Sequence, residues 1–146
     1  MQNKSSLKSI ATLHLKATYN SYGQIFFSLQ TWLAVTILIL SLLDLRIGLG
    51  GLVAVIITNL LSHLLGFSKE KIATGIYGFN AVFMGMSLMH KFYFNSSFIL
   101  FYLFGIVLSF LLTVLLETIL SKKSLPVLTL PFVITSFIID LLQEFC

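Results

Sequence analysis

The stretch Gly75-Ile76-Tyr77-Gly78-Phe79-Asn80-Ala81-Val82-Phe83-Met84-Gly85 lies inside an uncharged run from Ile72 to His90. Two glycines three apart precede an asparagine in otherwise apolar sequence. Glycine reaches backbone conformations that interrupt a helix, and the Asn80 amide can bond the groups that an interruption frees. A helix broken in this way suits the lining of a polar site within a membrane. The competing account is an unbroken helix that packs through its small residues, with Asn80 bonding a neighbour. Both accounts need a bilayer around the segment, and the rest of the chain supplies the reason to expect one.

The chain has 146 residues, 58% of them hydrophobic and 10% charged. A soluble domain carries about a quarter charged residues, so most of the usual solvating surface is missing. A mean hydropathy of +1.01 agrees. Disorder, a disulfide scaffold and an ordinary cytosolic enzyme are excluded on these grounds. The one cysteine, Cys146, allows neither an intrachain disulfide nor a thiolate metal cluster. The net charge of +4 reports loop lysines that face lipid and water, and no basic run with interleaved aromatics points to nucleic acid.

Charges divide the chain into uncharged stretches from Ala17 to Leu43, Ile47 to Ser68, Ile72 to His90, Phe92 to Leu116 and Ser124 to Ile139. A crossing takes about 20 residues, so the expectation is five transmembrane helices. The alternating ten-residue strands of a β-barrel are absent. Residues 1–20 form a separate amphipathic segment, with Lys4, Lys8 and Lys16 opposite Leu7, Ile10, Leu13 and Ala17. Residues 21–146 form a single membrane domain. Lys4, Lys8, Lys16, Lys69, Lys71, Lys122 and Lys123 fall on one side of that arrangement, and only Arg46 and Lys91 on the other. Seven basic residues against two predict a cytoplasmic N-terminus and an external C-terminus.

Two further interruptions stand out. Ala17 to Leu43 is too long for one comfortable crossing, and Gly23-Gln24-Ile25-Phe26-Phe27-Ser28 puts an amide beside aromatics within it. A short re-entrant helix followed by a crossing from about Trp32 would account for the length. An interfacial glutamine beside an aromatic belt would account for the composition equally well. Near the C-terminus, Leu125-Pro126-Val127-Leu128-Thr129-Leu130-Pro131-Phe132 brackets a threonine between prolines. Pro131 donates no backbone bond, so a carbonyl one turn back is freed beside the Thr129 hydroxyl. A proline-capped helix start is the alternative.

In this order, G-Q-I-F-F, G-I-Y-G-F-N-A-V-F-M-G and L-P-V-L-T-L-P-F closely resemble the urea transporter family, over about residues 20 to 135. The resemblance implies an all-α membrane protein, in which five transmembrane helices and a short re-entrant pore helix make one half of an inverted-repeat channel fold. This chain resembles the N-terminal half. It also implies passive, channel-like passage of urea or a closely similar small neutral amide, with no cofactor and no metal. The partners implied are urea, the lipid bilayer and a second inverted half, with complete pores grouped as trimers in a plasma (bacterial inner) membrane. Gln24 and Thr129 would then give polar contacts beside carbonyls near Val127 and Leu128. Ile25, Phe27 and Phe83 would form apolar walls. Gly75, Gly78, Phe79, Asn80, Gly85, Pro126, Pro131 and Phe132 would shape the backbone. One departure is local: the family often follows the pore-helix phenylalanine with an Asn-rich turn and a proline, and here Ser28-Leu29-Gln30-Thr31-Trp32 stands instead. Gln30 or Thr31 is the candidate to replace the hydrogen bonds of that turn.

The chemistry fits the solute. Urea is neutral, flat and rich in N–H donors, and each bond to water that it sheds needs a replacement. None of the three motifs contains Asp, Glu, Lys or Arg. The alternative function is a truncated or orphan membrane protein with a structural or assembly role and no transport on its own. A membrane hydrolase is not expected, because the sequence offers no paired intramembrane acids, no H-E-x-x-H and no Ser–His pair with a third member. His14 and His90 flank spans and read as interfacial, and His63 as a partner for a neighbouring helix. Asp140 lies only about 9 Å from the chain end if the last helix continues, which favours the interface over the membrane interior.

Overall fold

The computed structural model describes residues 2–92 and 96–145. Cys146 lies outside the described residues, as do the side chains of Lys4 and Leu7. The regular structure of the described residues is helical throughout. Helix α1 (Gln2–Gly23) runs into a single 3-10 turn (Gln24–Phe26), and the chain then bends into α2 (Thr31–Ser41). There follow α3 (Leu45–Leu64), the short α4 (Lys69–Ala73), α5 (Phe79–Lys91), α6 (Ser96–Ser121) and α7 (Leu130–Phe145).

Two helices are long and apolar enough to cross a membrane alone, over Leu45–Leu64 and Phe98–Ser121. A third crossing is available if the pair Lys8–Phe26 and Thr31–Ser41, bent by 89°, counts as one broken span. The bend falls where the 23–28 stretch predicts an interruption. Its arms are reversed from the expectation of a short helix and then a long one. The 22-residue α1 precedes the bend, and the 11-residue α2 follows it. At 1.5 Å per residue α2 reaches only about 17 Å, about half the hydrocarbon thickness.

Local chemistry sets the helix ends. Asp44 caps α3 by accepting from the backbone N–H groups of Arg46 and Ile47, both at 3.1 Å. Ser68 does the same for α4 through Lys71 N–H. Gly75 ends α4 with φ of +77°, a conformation that glycine takes without the clash a Cβ brings.

Helix α5 is the hub. It packs most extensively on α3 and also meets α6 and α7. Gly50 and Gly85 let the α3 and α5 backbones touch, since a Cβ on Gly85 would run into the Gly50 carbonyl oxygen. Small residues do this in lipid, where helices gain little from burying apolar surface against each other. The Tyr102 hydroxyl of α6 donates to that same Gly50 carbonyl. The main core gathers Ala54, Ala81, Met84, Leu88, Phe98, Tyr102, Ile106 and Ile139 around the junction. Large apolar side chains on α2, α3, α6 and α7 remain exposed, among them Ile39, Leu60, Leu100 and Phe137. That is the surface expected where lipid replaces water as solvent.

Candidate functional site

The glycine-rich stretch is broken, and α1 occupies the break. Between α4 and α5 the chain turns through Thr74–Gly78, which frees the carbonyls of Ala73 and Thr74, whereas Gly75 O accepts from the N–H groups of Gly78 and Phe79. Side chains at the end of α1 and in the turn after it meet this segment. Asn20 Nδ2 donates to Ala73 O at 2.6 Å and Gln24 Nε2 to Thr74 O at 3.0 Å, while the Ser21 hydroxyl, bonded to Ala17 O of its own helix at 2.7 Å, also lies 3.2 Å from Gly75 O. Asn20 and Gln24 stand four residues apart and so share one helix face. The approach is close enough to require glycine twice. A Cβ on Gly75 would strike the Asn20–Ser21 backbone, and one on Gly78 would strike Ser21 Oγ and Val55. Gln24, expected as a polar pore contact, thus commits its N–H to the protein and keeps Oε1, an acceptor. Asn20 and Ser21 carry no signal in the motif alone. Their only clue is the polar run Thr18 to Gln24 at the edge of apolar sequence.

The second and third motifs meet through Asn80. Its side chain is fully buried, and Nδ2 donates to Leu128 O at 3.2 Å, across 48 residues. Asn80 Oδ1 is buried with no hydrogen-bond partner among the described residues. Leu128 adopts φ of +52°, unusual for a residue with a Cβ. Phe83 and Phe132 extend the same junction, with ring centroids 5.5 Å apart. Val127 is buried, Thr129 half-buried and Leu128 exposed. The proline-bracketed segment is not helical over 125–129. Helix α7 starts at Leu130, so Pro131 sits in its first turn, where a missing N–H costs nothing. Val133 N–H donates to Thr129 O at 3.1 Å, and the Thr129 hydroxyl makes no hydrogen bond among the described residues.

The first motif joins the others from the side. Ile25 packs on a cluster of Tyr22, Val55 and Val82. Phe27 is exposed at φ of +53°, its N–H donating to Gln24 O at 2.9 Å. Ser28, not Gln30 or Thr31, supplies the side-chain bond of this turn, since its Oγ accepts from Gln30 N–H at 3.2 Å. A hydroxyl two residues upstream of a free N–H forms such a bond locally, whereas the Gln30 side chain, at the N-cap of α2, makes no capping bond.

The remaining polar residues sort by position. Asp140 lies exposed and ion-pairs with Lys91 at 2.6 Å. Lys71 pairs with Glu117 at 2.8 Å, and that hydrogen bond holds the Lys71 ammonium above its ordinary range. His90 is exposed. His63 meets His14 of α1. The Asn80–Leu128 bond and the Phe83–Phe132 ring contact thus join the second and third motifs, whereas Gln24 is tied to Thr74, just ahead of the second; no charged side chain takes part in those contacts.

No curated protein matches the chain significantly. The family model described as urea transporter matches residues 15–144, a span that contains all three motifs and the contacts that join them. The chain is a membrane protein with apolar spanning helices, and it belongs to the urea transporter family.

Proposed function

We propose that the chain forms one wall of a passive, channel-like pathway for urea or a closely similar small neutral amide, and that it is a transporter and not an enzyme. The observation that carries this reading is the Asn80–Leu128 bond, which ties the broken stretch to the proline-bracketed strip. Along that strip the Leu128 and Val127 carbonyls and the Thr129 hydroxyl act as acceptors for urea N–H groups, with Gln24 Oε1 a further acceptor. Ile25, Phe27 and Phe83 face the flat sides of the solute. A pathway without fixed charge favours neutral solutes over ions.

In this reading the chain crosses the membrane five times and carries one short re-entrant helix. The amphipathic segment 1–20 leads into the membrane domain 21–146, the N-terminus is cytoplasmic and the C-terminus external. The setting is a plasma (bacterial inner) membrane, with lipid around the apolar faces. A second inverted half closes the pore opposite the strip, and complete pores assemble as trimers. A separate chain or a further part of a longer protein supplies that half. An antiparallel copy ranks third, because seven basic residues against two favour one orientation.

Stopped-flow measurement on proteoliposomes in a urea gradient tests this. Urea entry faster than in protein-free vesicles is the expected result when the second half is reconstituted with the chain. Thr129→Val should slow it about two- to tenfold, the equivalent of one neutral hydrogen bond. No flux above protein-free vesicles from the chain alone would remove transport by this chain alone, and none with the second half present would favour the structural role.

A further inference from the structure

Away from the strip, α1 and the head of α4 border a cavity of about 350 Å³, lined by Ser9, Ile10, Thr12, Leu13, Lys16 and Lys69. Ser9, Thr12, Leu13 and Lys16 fall at i, i+3, i+4 and i+7 and so share one face of α1. Leu13 packs on the buried cluster of Ala17, Ile72, Tyr77 and Phe110, which anchors that face to α4 and α6. Lys69 opens α4, whose first turn Ser68 caps. Most of the lining is apolar, and Lys16 and Lys69 are the charged residues in it.

We infer that this cavity binds one anionic phospholipid, with the phosphate held by Lys16 and Lys69 and an acyl chain laid along Ile10 and Leu13. Charge and apolar lining point to the same ligand. Neither lysine joins an ion pair among the described residues, whereas Lys71 and Lys91 are taken by Glu117 and Asp140. Glu70 lines a separate, adjoining cavity with Lys16, Tyr19 and Asn20, and no acid among the described residues lines this one. A free phosphate would gain nothing from Ile10 and Leu13, whereas a lipid removes hydrocarbon from water or headgroups there. Basic pockets between helices take anionic head groups in this way.

The assignment to the cytoplasmic leaflet, where anionic lipids concentrate, rests on the topology proposed above. Lys16 and Lys69 both belong to the seven basic residues of the favoured side. Lys8 stands two turns before Lys16 on the same side of α1 and adds to the attraction. The bound lipid has a structural consequence. Helix α4 is only five residues long, and Asn20 of α1 already holds its far end through the Ala73 carbonyl. A phosphate shared by Lys16 and Lys69 ties its near end to α1 as well. The glycine break then follows a helix fixed at both ends.

Native mass spectrometry of the purified full chain in detergent, with dioleoylphosphatidylglycerol or dioleoylphosphatidylcholine added, tests the site. Neither topology nor urea flux enters that measurement, so its failure leaves the proposed pathway and orientation standing. Retention of one phosphatidylglycerol per chain, in preference to phosphatidylcholine, is expected. Lys16→Gln and Lys69→Gln should each weaken it about fivefold. Lys122→Gln and Lys123→Gln, the same charge change outside the cavity, should leave it unaltered. Phosphatidylglycerol should also raise the melting temperature of the wild type, and inorganic phosphate should neither do so nor displace the lipid. Equal retention of the two lipids would overturn the site, as would equal weakening by all four glutamine variants or displacement by inorganic phosphate. Should the glutamine variants at 16 and 69 fail to fold, Lys16→Arg and Lys69→Arg keep the charge and should keep the lipid, and the choice of the wild type between the two lipids still decides.

Discussion

Asn80 decides more than its neighbours do. Its N–H reaches Leu128 O, and among the described residues nothing else joins the two motifs by a side-chain hydrogen bond. In Asn80→Asp the donor becomes an acceptor that faces another acceptor, so the contact turns repulsive. Asn80→Ala merely removes it, at about 0.5–1.5 kcal/mol. Both variants should melt lower in detergent than the wild type, the aspartate further, and both should slow urea entry into proteoliposomes. Equal melting of all three proteins would show that the bond holds nothing. Two glycines with positive φ allow a second comparison. Gly66 has φ of +76° and no heavy atom within 4 Å of an added Cβ, whereas Gly75 at +77° would meet the α1 backbone. Gly66→Ala should therefore cost only the left-handed strain, about 1–2 kcal/mol. Gly75→Ala adds overpacking of about 1–3 kcal/mol. Thermal unfolding should rank wild type above Gly66→Ala and Gly66→Ala above Gly75→Ala.

Among the elements, α5 and its crossing with α3 carry the fold. Gly85 meets the Gly50 carbonyl and the Ala54 Cβ, and neither backbone can yield without shifting a helix. Gly85→Val should lower the melting temperature by more than Ile99→Val, a change of similar modesty on an exposed face of α6. An equal effect at both sites would count against the crossing as a load on stability. Gly50, Ala54 and Thr58 recur every fourth residue, the small-residue spacing that close approach in lipid demands. The break at Gly75 was legible for a similar reason. Illegible were Asn20 and Ser21 at that break, since they lie more than fifty residues from the carbonyls they meet there and no periodicity spans that gap. The order of long and short arms around the 27–30 bend was also hidden. The arm before the bend is amphipathic and the arm after it apolar, and neither pattern fixes where a helix stops; packing does.

At the scale of the molecule, charge marks the two ends. The Lys71–Glu117 and Lys91–Asp140 pairs lie before and after α5, one at each end of the helix and its leading turn. Replacing Lys69, Lys71, Lys122 and Lys123 by glutamine leaves three basic residues on the favoured side against two. Terminal reporters should then find a mixed population where the wild type shows one orientation. A single orientation in the variant would mean that something other than these lysines sets it. The apolar length and charge bias were plain in the sequence, whereas the means by which the halves of a pore would meet were not, because an exposed apolar face looks the same toward lipid as toward a partner. The capture of the Ala73 and Thr74 carbonyls from the end of α1 bears, finally, on biosynthesis. During translation Asn20, Ser21 and Gln24 leave the ribosome about fifty residues before the groups they bond. Until then the Asn20 and Gln24 amides have no such carbonyl to meet, and burial in hydrocarbon would leave them unsatisfied, whereas the Ser21 hydroxyl already bonds Ala17 O. On that argument helix α1 waits at the headgroup layer as an unfinished element and takes its final depth only when the glycine turn arrives, so that the last step of its own insertion is encoded about fifty residues downstream of it.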